Sequence, residues 1–207
     1  MSLTLIIIIV TVIASMAAWK NSRLFSKWMM HPYTIHQNKQ YYRLVTSGFV
    51  HGGYGHLAFN MITFYFFGSY VEKAFGLYFG IPGDFYFLML YLLGIVVADL
   101  PSYWKNRTNV NYSAIGASGG VSAVLFSSIL LNPLNQICLY IFICFPGFIL
   151  GAVYLFYTYY KSNNLADNIN HDAHLYGALF GMVFTAILRP RFLFDFIDQL
   201  SHFSLFN

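Results

Sequence analysis

Charge is what this chain has least of. Only 9% of its 207 residues are Asp, Glu, Lys or Arg, where a water-soluble domain carries about 25%. The shortage excludes a fold wetted on all sides. The net charge of +4 is scattered, with no basic block, so nucleic acid is not an expected partner. Cysteine is scarce too. Cys138 and Cys144 lie six apart in one apolar run, which on a helix is about 600° of rotation and sets them on different faces. That spacing suggests neither a disulfide between them nor a metal pair. The first apolar run has no basic stretch ahead of it and is followed by Trp19 and Lys20. It reads as a retained helix and not a cleaved signal. No internal repeat or low-complexity block is evident, and there is no His-Glu-x-x-His motif.

What the chain has is apolar and aromatic: 58% hydrophobic and 20% Phe, Trp or Tyr, with a mean hydropathy of +0.58. The length suits one all-α membrane domain of about six helices joined by short loops. The apolar runs place helices at about 3–19, 55–71, 85–100, 116–131, 136–159 and 172–188 within a domain of residues 1–191. Residues 20–50 hold Trp28, Tyr33, Tyr41 and Tyr42 among polar neighbours, the composition of a folded loop at the membrane interface. The tail, 192–207, sets Phe192, Phe196, Ile197, Leu200 and Phe203 opposite Asp195, Asp198, Gln199 and His202. It reads as an amphipathic interfacial helix.

Three polar stretches interrupt this apolar text. In Gly116-Ala117-Ser118-Gly119 a serine stands between glycines at the head of a helix of 16 residues. That helix is about 24 Å long, short of a hydrocarbon core of about 30 Å. The serine therefore falls below the membrane surface, where irregular backbone requires a protein-lined or wet surrounding. At the start of the second helix, His56 and Asn60 are four apart and share a face. In the sixth, His174, Gly177 and Gly181 share a face. The GxxxG pair lets another backbone pack where His174 projects. If that neighbour is the helix headed by Ser118, a base reaches a weak hydroxyl nucleophile. Asp172 is about 200° around the helix from His174 and points elsewhere. Taken singly, each motif also has a plain reading: a small-residue packing face, or a satisfied histidine within a helix bundle. The spacing of His51 and His56, five apart, is poor for two metal ligands on one helical face.

Together the three motifs resemble the rhomboid family of intramembrane serine proteases. The matching features are His51-x4-His56-x3-Asn60, Gly116-x-Ser118-Gly119 and Ala173-His174-x2-Gly177-x3-Gly181. Tyr42-Arg43 is similar to the family's Trp-Arg pair, and Glu72 matches a recurrent family feature. The resemblance implies a six-span bundle with Ser118 as nucleophile and His174 as general base, then acid. It implies an oxyanion site from His56, Asn60 and the Ser118 backbone N–H. His51, Tyr42, Arg43 and Glu72 are implied as supports for the first loop, with Gly116, Gly119, Gly177 and Gly181 as structural glycines. No metal or organic cofactor is implied. The implied partners are membrane-spanning protein substrates within the bilayer, reached past the fifth helix and a cap at Lys161 to Asn170. Oligomeric state is not legible.

Two features depart from that pattern. Ser122 stands four after Ser118, where many relatives have a Tyr that stacks on the catalytic imidazole. That leaves another aromatic, such as Tyr176, or nothing in that role. Eight basic residues fall on the first, third and fifth loops against three on the other side, which by the positive-inside rule would put the first loop in the cytoplasm. The family has that loop and the mouth of the site outside. The resemblance decides the expectation: a bacterial-type plasma membrane, with no organellar presequence on the short N-terminus, and the site opening to the extracytoplasmic side. The competing readings are a proteolytically silent client-binding relative and a small transporter. The transporter reading lacks an inverted repeat and intramembrane carboxylates, since Asp84, Asp99 and Asp172 lie near helix ends.

Overall fold

The computed structural model describes residues 1–139, 143–162 and 170–203. Its first helix, α1 (Leu3–Lys20), is capped by the Ser2 side chain, which accepts from Leu5 N. A carboxylate from far along the chain completes the cap: Glu72 accepts from Leu3 N at 2.7 Å, Thr4 N at 3.0 Å and Thr4 Oγ1 at 2.6 Å. A negative charge there also complements the helix dipole. Small and polar residues, Thr4, Thr11, Ser15 and Ala18, are buried on one face, while Leu5, Ile9 and Ile13 point outward.

The first loop is folded, as its aromatic content suggested. It forms α2 (Ser22–Trp28), α3 (Pro32–Asn38), α4 (Arg43–Thr46) and a 3-10 turn, Ser47–Phe49. Arg43 stitches it together, donating from Nη1 to Ser26 O at 2.7 Å and Met29 O at 3.0 Å, and from Nε to Gln40 Oε1 at 2.7 Å. The Tyr42 ring lies 5.7 Å from the same guanidinium. Met30, Ile35 and Leu44 pack with Tyr103 in a small core of their own.

Helix α5 (Tyr54–Phe79) runs past the expected end at residue 71, because Glu72 is held by α1 and Val71, Ala74 and Phe75 are buried. Helix α6 (Pro82–Asn106) likewise continues through Pro101. A proline removes one backbone donor, and here buried Ser102 and Tyr103 anchor the last turn against the start of α9 (His171–Leu188) and the first loop. Helix α7 (Ser118–Leu131) starts two residues later than the expected Gly116, is only 14 residues long and is buried along almost its whole length. It packs closely against α5, α6 and α9.

The fifth helix differs most from expectation. Residues 136–159 do not form one helix: β1 (Gln136–Leu139) and β2 (Ile143–Pro146) make an antiparallel hairpin before α8 (Gly147–Ser162). Cys138 and Cys144 face each other across the ladder and are bonded as a disulfide. Reading the run as helical put them on different faces; the hairpin register brings them together. The remaining helices are α9 (His171–Leu188) and α10 (Arg191–Ser201). They meet at a bend of 112°, where Phe192 is buried beside the Tyr78 ring, 4.8 Å between centroids.

On length and hydropathy, α1 and α6 qualify as membrane spans by themselves, and α9 with α10 qualifies as a bent pair. The chain is a helical membrane protein. Most of the cap expected at Lys161 to Asn170, and the end of the tail, fall outside the described residues.

Candidate active site

Ser118 is the first residue of α7, and three contacts fix the chain leading to it. Met30 and Ala114 exchange backbone hydrogen bonds, both at 2.9 Å. Gly116 N donates to Ser47 O at 2.9 Å, and Ala117 N donates to His51 Nε2 at 3.3 Å. Gly116 turns the corner at φ +115°, where a side chain would be strained. A β-carbon at that position would also collide with the His56 ring, 2.6 Å from Cε1. The folded first loop is thus the jig that sets the start of α7. Among the described residues, no hydrogen bond is made by the N–H groups of Ser118, Gly119 or Gly120. These are the orphan donors of a helix start, aimed where the dipole favours negative charge.

His51 is fully buried and links three elements. Its Nε2 accepts from Ala117, so the ring proton sits on Nδ1, which meets Ser15 Oγ at 3.0 Å. Ser15 Oγ donates onward to Phe49 O at 3.0 Å, and Trp19 Nε1 donates to His51 O at 2.7 Å. Burial first, and the neighbouring His56 second, push its pKa down to about 3. The imidazole is a neutral brace.

His174 lies in the first turn of α9, and glycines bring that turn to α7. A β-carbon on Gly177 would land on the Gly119 carbonyl oxygen, and one on Gly181 would land on the Ala123 carbonyl oxygen. One on Gly119 would reach Ala173 O at 3.7 Å and Ala98 Cβ at 2.5 Å. Residues 173 and 177 therefore flank the residue next to Ser118. Deeper in the pair, Thr185 Oγ1 donates to Ser127 Oγ at 2.7 Å. The start of α9 is fixed by Asn170, which caps Ala173 N at 3.2 Å and accepts from Ser102 Oγ at 2.8 Å. Asp172 pairs with Lys105 at 3.8 Å. Ser118 and His174 are half-buried and are not hydrogen-bonded to each other among the described residues.

His56 is exposed, its ring 4.9 Å from that of His51. Asn60 is buried and donates one amide hydrogen to His56 O at 3.0 Å. Glu72, which the resemblance implied as a support for the first loop, makes its hydrogen bonds to the start of α1. Among the described residues no group of three or more His, Cys, Asp or Glu is arranged to hold a metal ion. Two surface hollows of about 410 and 420 Å³ contain none of the residues around Ser118.

The rhomboid domain model matches residues 38–191, which takes in His51, His56, Asn60, Ser118 and His174. The chain belongs to the rhomboid family. A mitochondrial RHOMBOID-like protein 12 from Arabidopsis thaliana is 28% identical over 197 residues, covering 88% of this chain and 59% of that protein. A chloroplastic Rhomboid-like protein 11 from the same plant is 30% identical, covering 75% of this chain and 55% of the relative. This rhomboid therefore spans little more than half the length of those relatives. Their names place them in organelles and lend nothing to a bacterial plasma membrane.

One contact in this rhomboid was not anticipated. Tyr176, the aromatic offered by the sequence as a partner for His174, is exposed and has no ring contact among the described residues. Tyr154 of α8 lies parallel to the His174 ring instead, with centroids 6.1 Å apart and planes within 6°. Its hydroxyl is hydrogen-bonded to Ser122 Oγ at 2.7 Å. Ser47, Ser15 and Trp19 also escaped notice, since no motif marks them.

Proposed function

We propose that this rhomboid is an intramembrane serine endopeptidase acting on membrane-spanning proteins. The observation that carries the reading is the glycine contact between α7 and α9. It sets the first turn of α9, with His174, beside a serine at an uncapped helix start. Ser118 Oγ attacks the scissile carbonyl carbon while its proton passes to His174. The oxyanion that forms is met by the Ser118 N–H, by His56 and by the second amide hydrogen of Asn60. Collapse breaks the C–N bond, and His174 returns the proton to the leaving amine. Water activated by the same imidazole then hydrolyses the acyl-serine and restores the hydroxyl. Neither step calls for a cofactor.

In this account α1, α5, α6, α7, α8 and α9 cross the bilayer and α10 lies along it, its Arg191, Asp195 and Asp198 facing water. The site opens at the end formed by the first loop and the start of α9, away from the cytoplasm.

The test is reaction with a fluorophosphonate probe in detergent. Wild type labels, and Ser118→Ala and His174→Ala do not. A folded wild type that stays unlabelled overturns the proposal in favour of a silent, client-binding rhomboid.

A further inference from the structure

The imidazole proposed as the base needs something to hold its plane. Within α9 the His171 ring meets it edge-on, 6.1 Å between centroids and 69° between planes, and α7 presents Ser122 one turn below Ser118. We propose that Tyr154 of α8 is the positioning residue for His174, and that Ser122 is the anchor that holds Tyr154 in place. The inference rests on the function proposed above, and its test separates the two.

Three contacts fix the Tyr154 ring. Gly151, one turn earlier on the same face of α8, allows close approach to α7: a β-carbon there would lie 3.1 Å from Ile129 Cδ1 and 3.4 Å from Phe126 Cε1. Phe126 then supports the ring from one side, 5.6 Å between centroids and tilted by 44°. The hydroxyl is tied to the buried Ser122 at 2.7 Å. With edge and tip held, the ring meets His174 in an offset parallel stack at 6.1 Å, within the range where aromatic pairs attract. A tyrosine suits this place because one end stacks while the other finds a polar partner in an apolar bundle. The consequence is a division of labour across helices. The nucleophile belongs to α7 and the base to α9, while α8 supplies the plane against which the base rests. A shift of α8 away from α7 breaks the Ser122 tether and releases the imidazole. The position of α8 therefore controls whether the base is aligned.

The experiment compares fluorophosphonate labelling rates of the full chain with those of Tyr154→Phe, Tyr154→Ala and Ser122→Ala. It adds the exchanged pair Ser122→Tyr with Tyr154→Ser. A misplaced base costs on the order of 10²-fold, so Tyr154→Ala falls by about that factor. Tyr154→Phe keeps the stack and most of the rate, and Ser122→Ala lies between. The exchanged pair recovers rate relative to Tyr154→Ala, because a ring is returned to the same space from the other helix. Where Tyr154→Ala lowers the melting temperature, Tyr154→Leu replaces it, keeping bulk without a ring. A second readout does not depend on catalysis: the ring-proton chemical shifts of His174 by NMR in Ser118→Ala. Removing Tyr154 lifts the ring-current shift. If wild type labels and Tyr154→Ala and Tyr154→Leu label as fast, the inference fails while the function stands. If wild type does not label, the NMR shift decides, and a His174 signal indifferent to Tyr154 overturns the stack.

Discussion

Adding one methyl group at Gly177 probes the arrangement of α7 and α9 directly. A β-carbon at 177 would land on Gly119 O and lie 3.0 Å from Gly119 C and Cα. None of these atoms belongs to a flexible side chain, so the helices must move. Restoring a contact of about 3.5 Å separates α9 from α7 by about 1 Å. Overpacking of this kind costs about 1–3 kcal/mol. Ala in place of Gly within a helix returns about 0.5–1 kcal/mol, which leaves a net loss near about 1 kcal/mol. Folding therefore survives. Activity does not, since a misplacement of about 1 Å in a reacting pair costs on the order of 10²-fold. The assay is the fluorophosphonate labelling rate of Gly177→Ala in detergent, alongside its melting temperature. Gly76→Ala serves as control, because nothing lies within 4 Å of the carbon it adds. Gly177→Ala labelling at the wild-type rate would refute the argument that this contact aligns the base with the nucleophile.

His51 carries a pH dependence of stability. Its pKa is about 3 in the fold against an ordinary 6.5, so the unfolded chain takes up the proton first. The neutral ring's contribution is complete above about pH 6.5 and is lost as pH falls toward about 3, at up to about 1.4 kcal/mol per pH unit. Thermal unfolding between about pH 7 and about pH 4 shows the loss, and His51→Gln flattens it; an equally steep slope in that variant counts against the brace. His56→Ala and Asn60→Ala lower kcat by about 10²–10³ each with little change in KM if they donate to the oxyanion. A rise in KM at constant kcat assigns them to substrate binding instead. Cys138 and Cys144 sit at the end of α7 away from Ser118, so their redox state reports orientation. The structure has the pair bonded; with the site opening away from the cytoplasm, the hairpin faces a reducing compartment, the bond is reduced in the cell, and both thiols are alkylated when cells are quenched rapidly. A pair that stays oxidised supports the orientation indicated by the basic residues.

The parts of the candidate site were legible where they carry local signals. Glycines flanking Ser118, the four-residue step from His56 to Asn60 and the three- and seven-residue steps from His174 each name a face of one helix. Facing residues across helices carry no such signal. Tyr154 meets His174 only because Gly151 lets α8 approach α7, and nothing in either segment alone specifies that register. The fifth helix was misread for a different reason. Residues 137–145 are a continuous apolar run, where helix and strand look alike in periodicity. The β-branched and aromatic residues Ile137, Ile143 and Phe145, between Pro133 and Pro146, fit the hairpin that forms. The ends of α5 and α6 were placed too early because Glu72 and Pro101 look like stops. Capping of α1 by Glu72 and packing of Tyr103 against the first loop override both.

The central claim is geometric: the start of α7 and the first turn of α9 hold Ser118 and His174 in one site. Cysteines at those two positions, Ser118→Cys with His174→Cys in a background of Cys138→Ser and Cys144→Ser, test it most directly in the membrane-embedded protein. Oxidation or a short bis-maleimide joins them, and pairing either one with Tyr176→Cys, which points outward from α9, does not. Failure of the 118–174 pair to cross-link in a folded protein would contradict the account.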